Sequence, residues 1–318
     1  MVAPVPYGAG AMTVIDIARE RSQSLGPVLR GMLWMMLSGL CFACLNGLSR
    51  LLTEDLHAWQ TQFLRYAFGG LVMLPLMWRT GLMSFRTGNL RLQIARNALH
   101  TVGTGLWFLA LPMVPLAEVT AIGFTGPIFM TLGAMLFLGE KVRWRRWAAI
   151  AMGFVGVLIV LWPKLSLGVS ASDGSLLLLA AAPISAASFL MAKVLTRQDT
   201  PHAIVLWQCV LVSLFTLPAA LWFWQPVSWW HIGVLLVVGV LGSSGHYALN
   251  RALHATDVSA VQPARFLELI WAAMVGFLIW SDVPPAWTFA GAAVIFASTT
   301  YIARREAIAE REHRAGLR

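Results

Sequence analysis

Charge is scarce in this chain of 318 residues: Asp, Glu, Lys and Arg together make up 12%, with only 14 acids against 23 Lys and Arg. A soluble domain usually carries about twice that fraction, so a water-facing surface is excluded for most of the length. Cysteine is nearly absent. Its three occurrences, Cys41, Cys44 and Cys209, all lie in apolar segments and imply no disulfide framework. Cys41-Phe-Ala-Cys44 has the spacing of half a metal site, but the sequence holds no second ligand pair, so the thiols read as small apolar residues. Long polar linkers are missing too, and no connection could hold a soluble domain. A Walker loop, H-E-x-x-H and four-ligand metal spacing are all absent, which leaves ATP-driven pumps and membrane metalloproteases without support. The first 30 residues lack a continuous apolar core and a small-residue cleavage site, and read as a cytoplasmic tail.

What the chain has in abundance is hydrocarbon, with 58% apolar residues. Apolar stretches of about 20 residues, the length that crosses a bilayer core, recur along nearly all of it. In hydrocarbon every backbone N–H and C=O needs an internal partner, so these stretches must be helices. The expected spans are 31–50, 58–78, 93–111, 116–138, 145–163, 174–195, 203–224, 230–250, 257–280 and 286–303. The expected fold is therefore an all-α membrane protein of ten transmembrane helices.

Basic residues set the orientation. With the N-terminus inside, the Lys and Arg of 1–30, 79–96, 141–146, 193–197, 251 and 304–318 share one side, against Arg50 and Lys164 on the other. Loop bias of this kind places both termini in the cytoplasm. It also accounts for the net charge of +9 without a nucleic-acid partner.

The chain divides into a tail (1–30), two units (31–163 and 174–303) and a second tail (304–318). Arg50-Leu-Leu-Thr53 matches Lys193-Val-Leu-Thr196, and Leu74-Pro75 matches Leu217-Pro218, at one common offset. Gly139-Glu140 matches Ser281-Asp282, and Glu118-Val-Thr-Ala121 matches Asp257-Val-Ser-Ala260, at nearly the same one. An odd number of spans per unit makes the second copy run upside down. Inverted repeats are a recurrent plan of secondary transporters, with substrate near mid-membrane at the repeat interface.

Phe108-Leu-Ala-Leu-Pro-Met-Val-Pro-Leu-Ala117, Gly126-Pro-Ile-Phe129, Leu138-Gly-Glu-Lys-Val142 and Gly153-Phe-Val-Gly-Val-Leu-Ile159 resemble the drug/metabolite transporter superfamily in its EamA-type ten-helix form. Pro263-Ala-Arg-Phe266 and Trp280-Ser-Asp-Val-Pro284 look like the corresponding signature of the second unit, with Ser281-Asp282 where many members have Gly-Glu. The resemblance covers residues 31–303. It implies transport of small organic metabolites without nucleotide hydrolysis or cofactor, and does not fix a substrate. It also implies that spans 1–4 and 6–9 enclose a central cavity, leaving spans 5 and 10 peripheral, where they could support a homodimer.

Charges inside spans cost about 2.5–3.5 kcal/mol each on insertion scales and so mark candidates for function. Arg265 and Glu268, three apart on the ninth span, are expected on one helix face near mid-membrane. They read as an internal ion pair, as a charged cavity wall, or as both, with Glu268 the proton-coupling candidate. Arg65 suits either a substrate carboxylate or helix-end carbonyls, and its repeat mate is Gln208. Glu118 and Asp257 open their spans and read as caps. Glu140 and Asp282 sit at loop corners and read alike. Asn46, His246, Tyr247 and Asn250 are polar residues inside spans, suited to interhelical hydrogen bonds, and His246 could also report pH. Trp271 shares the face of Glu268 and could stack on a planar substrate. Trp78, Trp229 and Trp230 read as interfacial anchors, and Pro75, Pro127, Pro218 and Pro263 as bending points.

Gly242-Ser-Ser-Gly245 and His246-x-x-x-Asn250 imitate the rhomboid protease signature. Ser244 and His246 are two apart on one helix and point to nearly opposite faces, so they cannot form a nucleophile–base pair. The sequence therefore predicts no enzyme. It predicts a secondary transporter of the bacterial inner membrane, exporting amino acids or related metabolites. The alternative is uptake of a cofactor-like or nucleoside-like solute.

Overall fold

The computed structural model describes residues 26–53, 55–110, 113, 122–123, 125–142, 144–165, 173–280 and 286–314, and among these it is entirely helical. The helices are α1 (Pro27–Thr53), α2 (Ala58–Thr80), α3 (Leu90–Ala110), α4 (Gly126–Leu138), α5 (Trp144–Leu165) and α6 (Asp173–Leu195). They continue with α7 (Pro201–Trp222), α8 (Trp229–Ala255), α9 (Val258–Arg265), α10 (Glu268–Trp280) and α11 (Ala286–Arg314), and a short 3-10 turn (Leu82–Phe85) joins α2 to α3. Each expected span falls on a helix over its described residues, with 116–121 and 124 of the fourth lying outside them, and with one correction. The ninth is two helices, because the chain turns at Phe266-Leu267. Helix α11 also runs on to Arg314, past the expected end at 303.

Among the described residues five stretches are long and apolar enough to cross a membrane: Pro27–Thr53, Leu176–Leu195, Pro201–Trp222, Trp229–Ala255 and Val258–Leu278. Helices α2 and α3 fall short because they carry Gln60, Gln62 and Arg65, and Gln93, Arg96, Asn97 and His100. All of these side chains are buried, so the polarity faces inward. The outer faces are apolar, with Leu136, Phe137 and Leu278 each more than two-thirds exposed. Trp78, Trp222 and Trp229 project from helix ends, as interfacial anchors do.

Local signals start and stop the helices. Thr200 accepts from Ala203 N–H ahead of α7, and Ser228 with His231 forms a capping box ahead of α8. Helix α4 ends at Gly139, whose φ of +67° suits a residue without Cβ.

Helix α1 packs on α8 as α3 packs on α6, and α2 on α8 as α3 on α7. Helix α4 meets α6 as α9 and α10 meet α1, while α2 packs on α7 and α5 on α11. These principal pairings map onto one another when each span is exchanged for the one five further along. Small residues set the closest crossings. A Cβ on Gly239 would lie 2.9 Å from the Phe68 carbonyl carbon and 3.0 Å from Gly69 N, so α2 and α8 touch backbone to backbone.

One end of the bundle is tied by the turn at Gly139. It delivers Glu140 to the start of α9, where the carboxylate accepts from Val258 N–H (2.8 Å), Ser259 N–H (3.1 Å) and the Ser259 hydroxyl (2.9 Å). Asp257 occupies the N-cap position of α9 but makes no capping bond. It pairs with Arg146 at 3.1 Å instead, which corrects its expected role. Lys193 Nζ donates to Leu253 O at 2.5 Å and Thr256 O at 2.6 Å, holding the last turn of α8. Asp199 accepts from Thr87 Oγ1 (2.6 Å), Gly88 N–H (2.7 Å) and Gln93 Nε2 (2.9 Å). Elsewhere Asp55 meets His231 at 3.0 Å. Glu118 and Asp282 lie outside the described residues.

Candidate functional site

The buried polar faces of α2, α3, α7 and α8 converge on Gln208. Its Oε1 accepts from Arg96 Nη2 at 2.7 Å. Its Nε2 lies 2.9 Å from His100 Nε2, 3.0 Å from His246 Nε2 and 3.4 Å from the Tyr66 hydroxyl. Gln208 and Arg96 are wholly buried, and Tyr66, His100 and His246 are at most 4% exposed. About ten residues from the start of α3, at 1.5 Å per residue, His100 lies roughly 15 Å along its helix, near the middle of a bilayer core.

Hydrogen-bond chemistry fixes the protons. A guanidinium only donates, so Gln208 must present its oxygen to Arg96 and its amide N–H groups to the histidines. Both imidazoles then accept at Nε2 and carry their proton on Nδ1. The Tyr66 hydroxyl, 2.7 Å from His100 Nε2, shares that nitrogen's single lone pair with the Gln208 amide and itself accepts from Gln208 Nε2 at 3.4 Å. The rings pack edge to face, His100 to His246 at 5.3 Å and Tyr66 to His100 at 6.0 Å between centroids. Arg65 sits 4.9 Å over the Tyr66 ring and reaches the same cluster. A small cavity of about 10 Å³, lined by Arg65, Tyr66, Gln208, Cys209, Ser243 and His246 among others, has room for roughly one water.

Phe189 of α6 joins this cluster to a second one. Its ring lies 5.9 Å from His100 on one side and 5.7 Å from the Arg265 guanidinium on the other. Arg265 ends α9 and Glu268 begins α10. Two turn residues, Phe266 and Leu267, separate them, and no salt bridge within 4 Å joins them. Both are partly exposed although they lie mid-span, so they border the interior rather than fill it. Glu268 and Trp271 pack beside Gly39 of α1, where an added Cβ would meet Glu268 Cβ at 3.4 Å and Trp271 Cδ1 at 3.6 Å. The fourth span turns likewise at Thr125 before α4 begins at Gly126. Glu268 follows Gly126 at the repeat spacing. Interruptions at matching positions of two halves accompany binding sites in transporters.

Of the residues singled out by sequence, Arg65 and His246 enter the central cluster, and Arg265, Glu268 and Trp271 gather at the break. Asn46 is exposed on α1. Tyr247 stacks on His202 at 4.8 Å and packs against the core group that contains Tyr66 and Cys209. Asn250 donates to His246 O within its own helix. The cysteines are free thiols, and among the described residues no group of His, Cys, Asp and Glu could hold a metal. Sequence reasoning missed Tyr66, Arg96 and His100 as site residues, and saw Gln208 only as a repeat mate. Arg96 counts toward the loop charge bias by position, yet it is 0% exposed. The available signal was Gln93-x-x-Arg96-Asn97-x-x-His100, a polar stripe at helical spacing in an otherwise apolar span.

A riboflavin transporter of Rhizobium johnstonii is 35% identical over 290 residues, covering 89% of this chain and 93% of that protein. An S-adenosylmethionine uptake transporter of Rickettsia felis is 27% identical over 282 residues, covering 88% and 95%. A pseudopaline exporter of Pseudomonas aeruginosa is 28% identical over 278 residues, covering 86% and 96%. A solved crystal structure superposes with a TM-score of 0.73 at 16% identity, over 86% of this chain and 98% of the other, and so shares the fold. The model of the EamA-like transporter family matches twice, over residues 29–162 and 173–304, and the chain belongs to that family of membrane transporters.

Proposed function

We propose that this chain takes up a cofactor-like or nucleoside-like heteroaromatic solute across the bacterial cytoplasmic membrane. The observation that carries the reading is the buried ring cluster of Tyr66, His100 and His246 around a fixed carboxamide, Gln208. Aromatic and imidazole faces suit a planar ring, and Gln208 and Arg65 suit its polar edge. The relatives named for riboflavin and S-adenosylmethionine uptake support this over amino-acid export, the first expectation from sequence. The pseudopaline exporter keeps outward transport as the second reading.

Ten spans with both termini inside, in two inverted halves, is the arrangement we propose. The Lys/Arg bias, the two family matches and the principal pairings that map onto one another under a five-span exchange support it. Transport would alternate between two near-equivalent packings of the halves. Arg65, His246, Arg265, Glu268 and Trp271 would line the path together with Tyr66, His100 and Gln208, a reading supported by their shared cluster.

The test is uptake of labelled riboflavin, a nucleoside and S-adenosylmethionine by proteoliposomes, alongside rescue of a riboflavin auxotroph. Uptake of one of these, reduced in His246→Ala and Trp271→Ala, is the expected outcome. No uptake of any, together with acquired resistance to toxic amino-acid analogues, overturns the reading in favour of export. Glu268→Gln separately tests proton coupling. Glu268 carries no coupling proton if the pH dependence of transport persists unchanged in that variant.

A further inference from the structure

The central cluster holds two guanidinium groups, those of Arg65 and Arg96, and no Asp or Glu among the described residues pairs with either. Both side chains are deeply buried, at 7% and 0% exposure. Four nitrogens there have no hydrogen-bond partner: Arg65 Nε, Arg96 Nε, His100 Nδ1 and His246 Nδ1. Because Gln208 fixes both histidines as Nδ1–H tautomers, all four are donors. The cluster thus combines surplus donors with surplus positive charge, both of which are costly when buried. An acceptor bearing negative charge answers both. Arg65 is shaped for this. Its Nε lies 3.3 Å from where a Cβ on Gly242 would stand, so the guanidinium lies along bare helix backbone and borders the small cavity with Tyr66, Gln208 and His246.

We infer that the Arg65 cluster is an anion site, which receives an acceptor-rich, negatively charged edge such as a carboxylate, a deprotonated ring imide or a halide ion. The inference rests on the central cluster being the transport site. It adds that the solute either presents such an edge to Arg65 or travels beside a small inorganic anion held there.

Binding to the detergent-purified full chain tests this, with tryptophan fluorescence and thermal shift as readouts. The probes are sodium benzoate against its neutral counterpart benzamide, and sodium chloride against sodium isethionate, a bulkier anion, at equal ionic strength. Benzoate or chloride is expected to bind saturably, and benzamide and isethionate are not. Losing a charge-assisted hydrogen bond weakens binding on the order of 10- to 100-fold in Arg65→Met. Gly242→Ala keeps the charge but crowds the guanidinium, so it guards against misfolding of Arg65→Met and should weaken binding as well.

Benzoate that competes with riboflavin, without a chloride effect, assigns the anion to the substrate's own edge. Chloride that saturates and is required for uptake assigns it to a separate ion. Absence of saturable binding by both benzoate and chloride overturns the inference, as does wild-type affinity in both variants. If anion binding is lost in the variants while no proposed solute is transported, the anion site stands and the uptake reading falls.

Discussion

The contact between Arg96 and Gln208 offers the sharpest test of how the interior is held. Polar pairs between membrane helices average about 0.6 kcal/mol, because the unfolded chain in the bilayer also finds partners. This pair should exceed that value. Its donor is a fully buried cation, its distance is 2.7 Å, and Gln208 passes the bond on to two histidines. Hydrogen bonds to charged groups contribute about 1.5–3 kcal/mol, so a coupling of about 1–2 kcal/mol is expected once the bilayer correction is applied. The assay is a double-mutant cycle of Arg96→Met, Gln208→Leu and the combination, read by reversible unfolding in mixed detergent micelles. The double variant should be less destabilised than the sum of the singles, because once either partner is gone the other is already orphaned. Additivity within about 0.5 kcal/mol would refute the reasoning, since independent sites behave that way.

Glu140→Gln removes the charge that caps α9, and should cost about 1–2 kcal/mol locally. Amide exchange at Val258 and Ser259 is expected to speed up by roughly tenfold or more, and unchanged protection would show that the cap lies elsewhere. Gly239→Val places two methyl groups where a Cβ alone meets Phe68 and Gly69 at about 3 Å. It should lower the melting temperature by several degrees through loss of the α2–α8 crossing, whereas a variant as stable as the parent would disprove the backbone contact.

Helix positions were readable from the sequence because hydrocarbon admits few alternatives: an apolar stretch of the right length must close its own backbone bonds. Arg65 and His246 were readable as lone polar groups in apolar surroundings. Arg96 was not, since near a helix start a basic residue ordinarily serves orientation. Only tertiary packing against Gln208, more than 100 positions away, reveals its part in the interior. The break at Phe266-Leu267 was hidden for a related reason. Pro263 marks trouble in the helix, yet the turn falls three residues later, beside Gly153 of α5, whose missing Cβ makes room for the Phe266 ring. The turn leaves Arg265 as the last residue of α9 and Glu268 as the first of α10.

The ties made by Glu140, Lys193 and the Arg146–Asp257 pair close one end of the bundle, and they do so without touching the ring cluster. Under the proposed alternation of the two halves, a solute arriving from that end would meet only those molecules in which the ties have released. If about 1% of molecules are released at any moment, the apparent affinity from that side is roughly 100-fold weaker than the intrinsic one. Under the same proposal, a solute approaching from the opposite end would not depend on these ties. The same ring cluster would then show two affinities, one for each side of the membrane, and a single change at Glu140 would draw them together.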